Sequence, residues 1–361
     1  MPEGSEVKLL SETLEKLSKG KGIVSIEIRN PDAIVNWINR NVIGLDLFKI
    51  WLAEHNGFLE IESINTKGKL CWVQCVDNIH IRIQFGMSGN FREDPTPETL
   101  SVYNQNRKLN GKKPESLEQY LKHCHVKIGF APSTNHNDIT YVMYHDVRRF
   151  GRLIFSNNPN ELKAKINSLG TDPLIEKLSK EEILSRFRKY NHQNICKALM
   201  DNGIICNVGN YICNETNYRA KIYPLANIKD IPDSALLDLY NHIIKIGKDA
   251  YEQQGASLYT YSGIKGEQSN FKEQLLVYGH AGEKDPNGYS IIRIPAEKSP
   301  NKRSIYWVPE IQTIGKKDDN KIDTVYKKKI IVVLNKKNHD DTSIINAQPK
   351  KKILILKNIK K

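Results

Sequence analysis

Pro2 is the residue with the most chemistry to offer. Removal of Met1 turns it into a free secondary amine at the tip of the chain, a nucleophile toward aldehydes, and Glu3 sets a carboxyl group beside it. Val7, Leu10, Leu14 and Leu17 follow at helical spacing, so Pro2 stands at or just before a helix start. Proline is suited to that place because the N–H it lacks is one the first turn leaves unpaired. Taken alone, Pro2-Glu3-Gly4-Ser5-Glu6 also reads as an ordinary acidic helix N-terminus.

Further along, polar and cationic side chains gather at turns. Lys67-Gly68-Lys69 precedes the strand Leu70–Val73, and Gly68 would let the backbone approach a ligand closely. Phe85-Gly86-Met87-Ser88-Gly89 ends the most regular strand with two glycines that hold Met87 out as a wedge. Tyr144–Gly151 places Arg148, Arg149 and Phe150 in another inter-strand turn. Each of these has a plain structural reading as a solvated edge or a tight turn. The stretch Ile195–Ile212 reads helix, Asn202-Gly203 stop, apolar double turn, Gly209-Asn210 start, helix. Asn210 is a good N-cap, and bare N–H groups at that start would hold an anion; an ordinary helical hairpin is the alternative.

Elements of two kinds must position these residues. Period-two alternation marks strands at Ile23–Ile28, Phe58–Glu62, Ile79–Phe85, Val126–Phe130 and Tyr141–Tyr144, an antiparallel sandwich or barrel extending to about Phe155. The polar segment Asp94–Glu118 is expected to be a long exposed loop. Beyond Asn157-Asn158-Pro159 the pattern becomes helical, at Lys180–Tyr190, Ile195–Asp201, Tyr211–Arg219 and Ser234–Gln253. Tyr289–Ile294 and Ser304–Val308 read as a β-hairpin. From Ile314 onward Lys, Asn and Asp dominate, which predicts a mobile basic tail in which Ile330–Leu334 could pair as a strand.

The 361 residues suffice for two or three domains, and the net charge of +13 points to a polyanionic partner. No apolar run approaches the ~18 residues of a membrane span, and no signal peptide is recognisable; an intracellular, non-membrane protein is expected. The six cysteines show no C-x-x-C pair, so buried thiols are expected rather than disulfides or zinc. His123-Cys124-His125 could suggest a metal, but strand alternation sends neighbours to opposite faces and argues against one.

In order along the chain, these motifs resemble the formamidopyrimidine-DNA glycosylase/endonuclease VIII family. The family opens Pro-Glu-Gly-Pro-Glu, here Pro2–Glu6; its Gly-Lys is Gly68-Lys69, and its Leu-Gly-Met-Ser-Gly turn is Phe85–Gly89. Its Asp-Pro-Arg-Arg-Phe-Gly appears as Asp146–Gly151, its Leu-Gly-x-x-Pro-Leu as Leu169–Leu174, and its helix-two-turn-helix as Ile195–Ala220, with Glu215 and Pro224 in place. One departure is clear. Most members end in a four-cysteine zinc finger, whereas Gly282–Gly288 and Tyr306–Gln312 contain no cysteine. The chain thus looks like the zincless-finger branch of endonuclease VIII-like enzymes, known from animals, plants and large DNA viruses. Tyr289, Ile292, Tyr306 and Trp307 are the candidates to hold such a hairpin by packing.

The resemblance implies an α+β architecture: an N-terminal antiparallel β-sandwich with a leading helix over residues 1–156, a helix-two-turn-helix domain over 157–270, a zincless hairpin over 271–315 and a basic tail over 316–361. It implies a bifunctional DNA glycosylase and abasic-site lyase with no cofactor and no metal, acting as a monomer on double-stranded DNA that carries an oxidised base or an abasic site. Pro2, Glu3, Lys69 and Arg303 would be catalytic. Asn210 and Lys197 would bind DNA, and Met87, Arg148 and Phe150 would fill the void left by a flipped base. Oxidised pyrimidines, ring-opened purines, hydantoins and abasic sites are the expected substrates, with 8-oxoguanine as the alternative to be decided by the loop Leu258–Phe271. A lesion-binding protein without activity is the non-enzymatic alternative. Lys327–Lys329 and Lys350–Lys352 would add DNA affinity, or address the protein to a nucleus or viral compartment in such a host.

Overall fold

The chain's alternating and helical periodicities resolve into two cores. The computed structural model describes residues 2–256, 263–267 and 271–317; the tail lysines, the Ile330–Leu334 pattern and most of the loop Leu258–Phe271 lie outside them. Helix α1 (Gly4–Ser18) buries Val7, Leu10 and Leu14, and strand β1 (Lys21–Ile28) follows after a turn at Gly20. Helix α2 (Val35–Asn41), the short β2 (Val42–Ile43) and α3 (Leu45–Glu54) fill a stretch that the sequence pattern leaves unassigned. Then come β3 (Leu59–Lys67), β4 (Leu70–Cys75), β5 (His80–Gln84) and β6 (Gly89–Glu93).

The expected loop at Asp94–Glu118 is instead helical. Helix α4 spans Pro97–Leu109 and α5 spans Leu117–Leu121. Thr96 caps α4 by accepting from the Thr99 N–H at 3.2 Å, and Pro97 opens it. One side chain of α4 is buried, Tyr103, which lies edge-on to Tyr120 under the Arg92 guanidinium. A helix anchored at so few points leaves almost no apolar period to read.

Strands β7 (Cys124–Pro132), β8 (Thr140–Asp146) and β9 (Arg152–Ser156) complete a nine-stranded sheet in the order β2-β9-β5-β4-β3-β1-β7-β8-β6. All its pairings are antiparallel except β2 with β9. It folds over a core that includes Leu14, Ile81, Phe91, Phe130, Tyr144 and Phe155, giving the expected sandwich.

Helix α6 (Pro159–Asn167) leads to α7 (Lys180–Arg188), α8 (Ile195–Leu199), α9 (Asn210–Arg219) and α10 (Asp233–Glu252). The apolar face of α10, Leu236, Leu239, Ile243 and Ile246, closes the second core against α7 and α9. Strands β10 (Ile292–Ile294) and β11 (Ile305–Trp307) pair as the expected hairpin, shorter at its outer ends. Helix α1 packs on both β3 and α10, so the N-terminus sits where the two cores meet. Among the described residues no helix is long and apolar enough to cross a membrane.

Candidate active site

The first turn of α1 is built from two buried carboxylates. Glu6 stands three residues after Glu3 and accepts the Glu3 N–H at 2.8 Å, one half of a capping box. Its other oxygen accepts from the Ala256 N–H at 2.7 Å and the Tyr211 hydroxyl at 3.2 Å. The Glu3 side chain completes the box through the Glu6 N–H. It reaches α9, accepting from the N–H groups of Gly209 at 2.8 Å, Tyr211 at 3.0 Å and Ile212 at 3.4 Å.

That geometry corrects the sequence reading of α9. The N-cap is Gly209, with Asn210 as the first helical residue, and the N–H groups expected to be bare are held by Glu3. The anion at this helix start is the protein's own carboxylate. Glycine is required at position 209 because a Cβ there would fall 2.3 Å from the Glu3 carboxyl carbon. Asn210 is half-buried and donates through Nδ2 to the Ser304 carbonyl at 3.1 Å, tying α9 to the hairpin beside Arg303.

Pro2 lies in the wall of a cavity of about 220 Å³ shared with Lys69, Gln84, Phe85, Gly86 and Cys206. Lys69 donates from Nζ to the Val208 carbonyl at 2.5 Å. Its position is set by Gly68, at φ +57, where a Cβ would strike the Cys206 carbonyl at 2.2 Å. The Gly68 N–H is held by the buried Asp172 carboxylate at 2.7 Å. The turn before β4 is thus pinned by Asp172, ahead of α7, and by Cys206, in the segment that leads into α9.

Burial raises the Glu3 carboxyl to about 7; the Lys69 ammonium and the Tyr211 N–H pull it back and the Glu6 charge pushes it up. Burial also raises Glu6 and lowers Lys69, whose ammonium Glu3 supports and Arg303 opposes. The cluster therefore sets a carboxyl raised toward neutrality next to Pro2 and a lysine lowered by burial.

Met87, next to the cavity-lining Gly86, meets Arg303 of the hairpin, Nη1 lying 3.8 Å from the sulfur. Met87 is half-buried beneath the arginine rather than held out in solvent. Arg148 and Phe150 are exposed, and the guanidinium lies 5.0 Å from the ring centre. Lys197 stands exposed on α8, whose cap Asn194 accepts from the Lys197 N–H at 3.1 Å.

The hairpin is held by side chains. Trp307 is buried and packs edge-on against Tyr223 at 5.3 Å, Tyr306 meets Tyr278 at 5.3 Å, and Ile292 packs on the helical core. Tyr289, also expected to pack, is exposed; its N–H instead bonds to Asp285, which accepts from the Tyr218 hydroxyl at 2.8 Å. Buried Glu215 accepts the N–H groups of Leu276, Val277 and Tyr278 at 2.8 to 3.0 Å and pairs with Arg219, fixing the approach to the hairpin. Glu6 and Tyr211 are site-forming residues to which sequence reasoning gave no role; the Glu3-x-x-Glu6 spacing was the local signal for Glu6.

The N-terminal domain of formamidopyrimidine-DNA glycosylase matches residues 1–153, and its helix-two-turn-helix domain matches residues 169–262. The formamidopyrimidine-DNA glycosylase of Lactobacillus gasseri is 30% identical over 287 residues, 78% of this chain and 89% of that protein. That of Lactobacillus johnsonii is 29% identical over 317 residues, 88% of this chain and 100% of that protein. A Lactococcus lactis relative, solved with DNA containing Fapy-dG, shares the fold with a TM-score of 0.67 at 24% identity, covering 86% of this chain and 99% of that one. The chain belongs to the formamidopyrimidine-DNA glycosylase family, the DNA glycosylases of base-excision repair.

Proposed function

We propose that the protein is a bifunctional glycosylase and abasic-site lyase that works through the Pro2 amine. The observation that carries this reading is the joint placement of Pro2 and Lys69 on one cavity, with Glu3 beside them and poised near neutrality. A damaged base is flipped out of the stack. The Pro2 nitrogen attacks C1′ and the base leaves with the electron pair of the glycosidic bond. Glu3 donates a proton to the sugar ring oxygen as C1′–O4′ opens, giving an iminium. Proline suits this step because a secondary amine yields a permanently cationic iminium. The cation acidifies C2′, loss of that proton expels the 3′ phosphate, and a second elimination expels the 5′ phosphate. Hydrolysis then frees Pro2. Lys69, Asn210 and Arg303 grip phosphates around the lesion, Lys197 adds a further DNA contact, and Met87, Arg148 and Phe150 fill the void.

The zincless hairpin, with every cysteine at or before Cys213, supports the endonuclease VIII-like branch and therefore oxidised pyrimidines, ring-opened purines, hydantoins and abasic sites. The formamidopyrimidine-type names of the relatives favour a second reading, preference for 8-oxoguanine. Borohydride reduction during reaction with abasic duplex DNA tests the mechanism. A covalent adduct on the N-terminal peptide is expected; an adduct on a lysine elsewhere, or none, would sink it. Greater kcat/KM on 8-oxoguanine than on thymine glycol duplexes would select the second reading.

A further inference from the structure

Two separate turns, both directed at DNA in the proposed reaction, are joined by one buried carboxylate. Phe85–Gly89 connects β5 to β6 and carries Met87; Asp146–Gly151 connects β8 to β9 and carries Arg148 and Phe150. Asp146 is fully buried. Its Oδ1 accepts from the Ser88 hydroxyl at 2.5 Å and from the Arg148 N–H at 3.2 Å, and its Oδ2 accepts from the Gly151 N–H at 2.8 Å. The Arg148 N–H is shared with the Ser88 oxygen at 2.9 Å. The Asp146 backbone is fixed as well, donating to the His123 carbonyl at 2.9 Å and accepting from His125 Nε2 at 2.8 Å.

The turns also touch backbone to backbone. Gly86 sits at φ +60, and a Cβ on it would fall 2.6 Å from the Phe150 carbonyl carbon and 2.8 Å from the Gly151 nitrogen. Between the two N–H groups that Asp146 holds lies Arg149, a non-glycine residue at φ 55. Such a backbone costs on the order of 1 kcal/mol and persists only where its surroundings over-determine it. Asp146 supplies that determination, gripping the chain on both sides of the strained residue.

We propose that Asp146 is a positioning residue which, through Ser88, locks the Met87 turn and the Arg148–Phe150 turn into one rigid wedge. This rests on the reading of those three side chains as void fillers. Phe150 is 55% exposed, and the Arg148 guanidinium that lies over its ring belongs to the same turn. A preorganised turn brings the three side chains to the duplex at fixed spacing, where a loose one would pay ordering entropy at each encounter. A carboxylate suits this place because both of its oxygens accept, Oδ1 from Ser88 and Arg148 and Oδ2 from Gly151. An asparagine keeps one acceptor oxygen, so its NH2 would face either the Gly151 N–H or the Arg148 N–H, and one side of the lock is lost.

The test uses Asp146→Asn and Ser88→Ala in the full chain. Three readouts are followed: base release from a lesion duplex, cleavage of an abasic site in single-stranded DNA, and fluorescence of a base analogue opposite the lesion. A single strand has no opposite base and no void. Asp146→Asn should slow duplex turnover by about tenfold or more and suppress the fluorescence response, leaving single-strand cleavage unchanged. Ser88→Ala should act in the same direction more weakly, and it strands no donor if Asp146→Asn folds poorly. Equal losses on both substrates, or an unchanged duplex rate, would overturn the proposal. A wild-type protein that cuts neither substrate refutes the glycosylase reading instead, and the fluorescence response then still decides whether Asp146 sets the wedge.

Discussion

Arg303 Nη1 rests 3.8 Å from the Met87 sulfur, so the hairpin and the β-sandwich touch through the two side chains proposed to grip and to wedge. Arg303 contributes little else to packing: its own N–H bonds to Asn301 within the same turn, and the hairpin is held by Trp307 and Tyr306. Arg303→Ala should therefore lower kcat/KM on lesion duplexes by about 10²-fold, the loss typical of one removed charge-stabilising donor. Its melting temperature should stay within about 2 °C of wild type. Calorimetry beside steady-state kinetics checks both halves, and a large drop in Tm would contradict the account of the hairpin.

The pH dependence follows from Glu3. Its carboxyl is raised to about 7, mainly by burial, so it is protonated below that value and ionised above it. A step that needs Glu3 as proton donor falls as pH rises through 7. Single-turnover base release should show that descending limb, and Glu3→Gln, which cannot donate a proton, should nearly abolish turnover. Full activity of Glu3→Gln on a thymine glycol duplex would remove Glu3 from the mechanism.

Gly209→Ala puts a methyl group 2.3 Å from the Glu3 carboxyl carbon, against a side chain held by three N–H groups. The carboxylate must move off the α9 start. Base release should fall by roughly 10²-fold, as expected for a displacement of about 1 Å, while affinity for undamaged DNA, measured by anisotropy, stays near wild type. Equal activity in this variant would show that the Glu3–α9 contact is dispensable.

Trp307→Ala removes the largest buried side chain of the hairpin and leaves a cavity against Tyr223. Destabilisation of about 3–5 kcal/mol is expected in chemical denaturation. Incubation with a strong chelator, by contrast, should change neither stability nor activity.

Most of the longer strands were legible because runs such as Ile79–Phe85 alternate apolar and polar residues, while β2, β6 and β9 carried no such run and were not assigned. The helix pair around Asn202-Gly203 was legible from its stop and start signals. Helix α4 was not, because it buries only Tyr103 and derives its support from Arg92 and Tyr120 on other elements. Within the site, Pro2 and Glu3 stood out by residue type. The bond from Glu3 to the start of α9 spans more than two hundred residues, so no local pattern announces it, and Asn210 drew the cap assignment that belongs to Gly209.

The hairpin that packs without metal has a chemical consequence. A thiolate-bound zinc is a target for the same peroxides that damage bases, because oxidised sulfur releases the ion. This hairpin offers no sulfur to attack. The chain's cysteines all lie earlier and are buried, and burial raises Cys71, Cys75 and Cys206 to about 12 and Cys124 to about 11, far from the reactive thiolate. The hairpin that holds the proposed phosphate-gripping arginine would keep its shape under the oxidants that create the proposed substrates, with Met87, on the sandwich side, the sulfur beside that arginine.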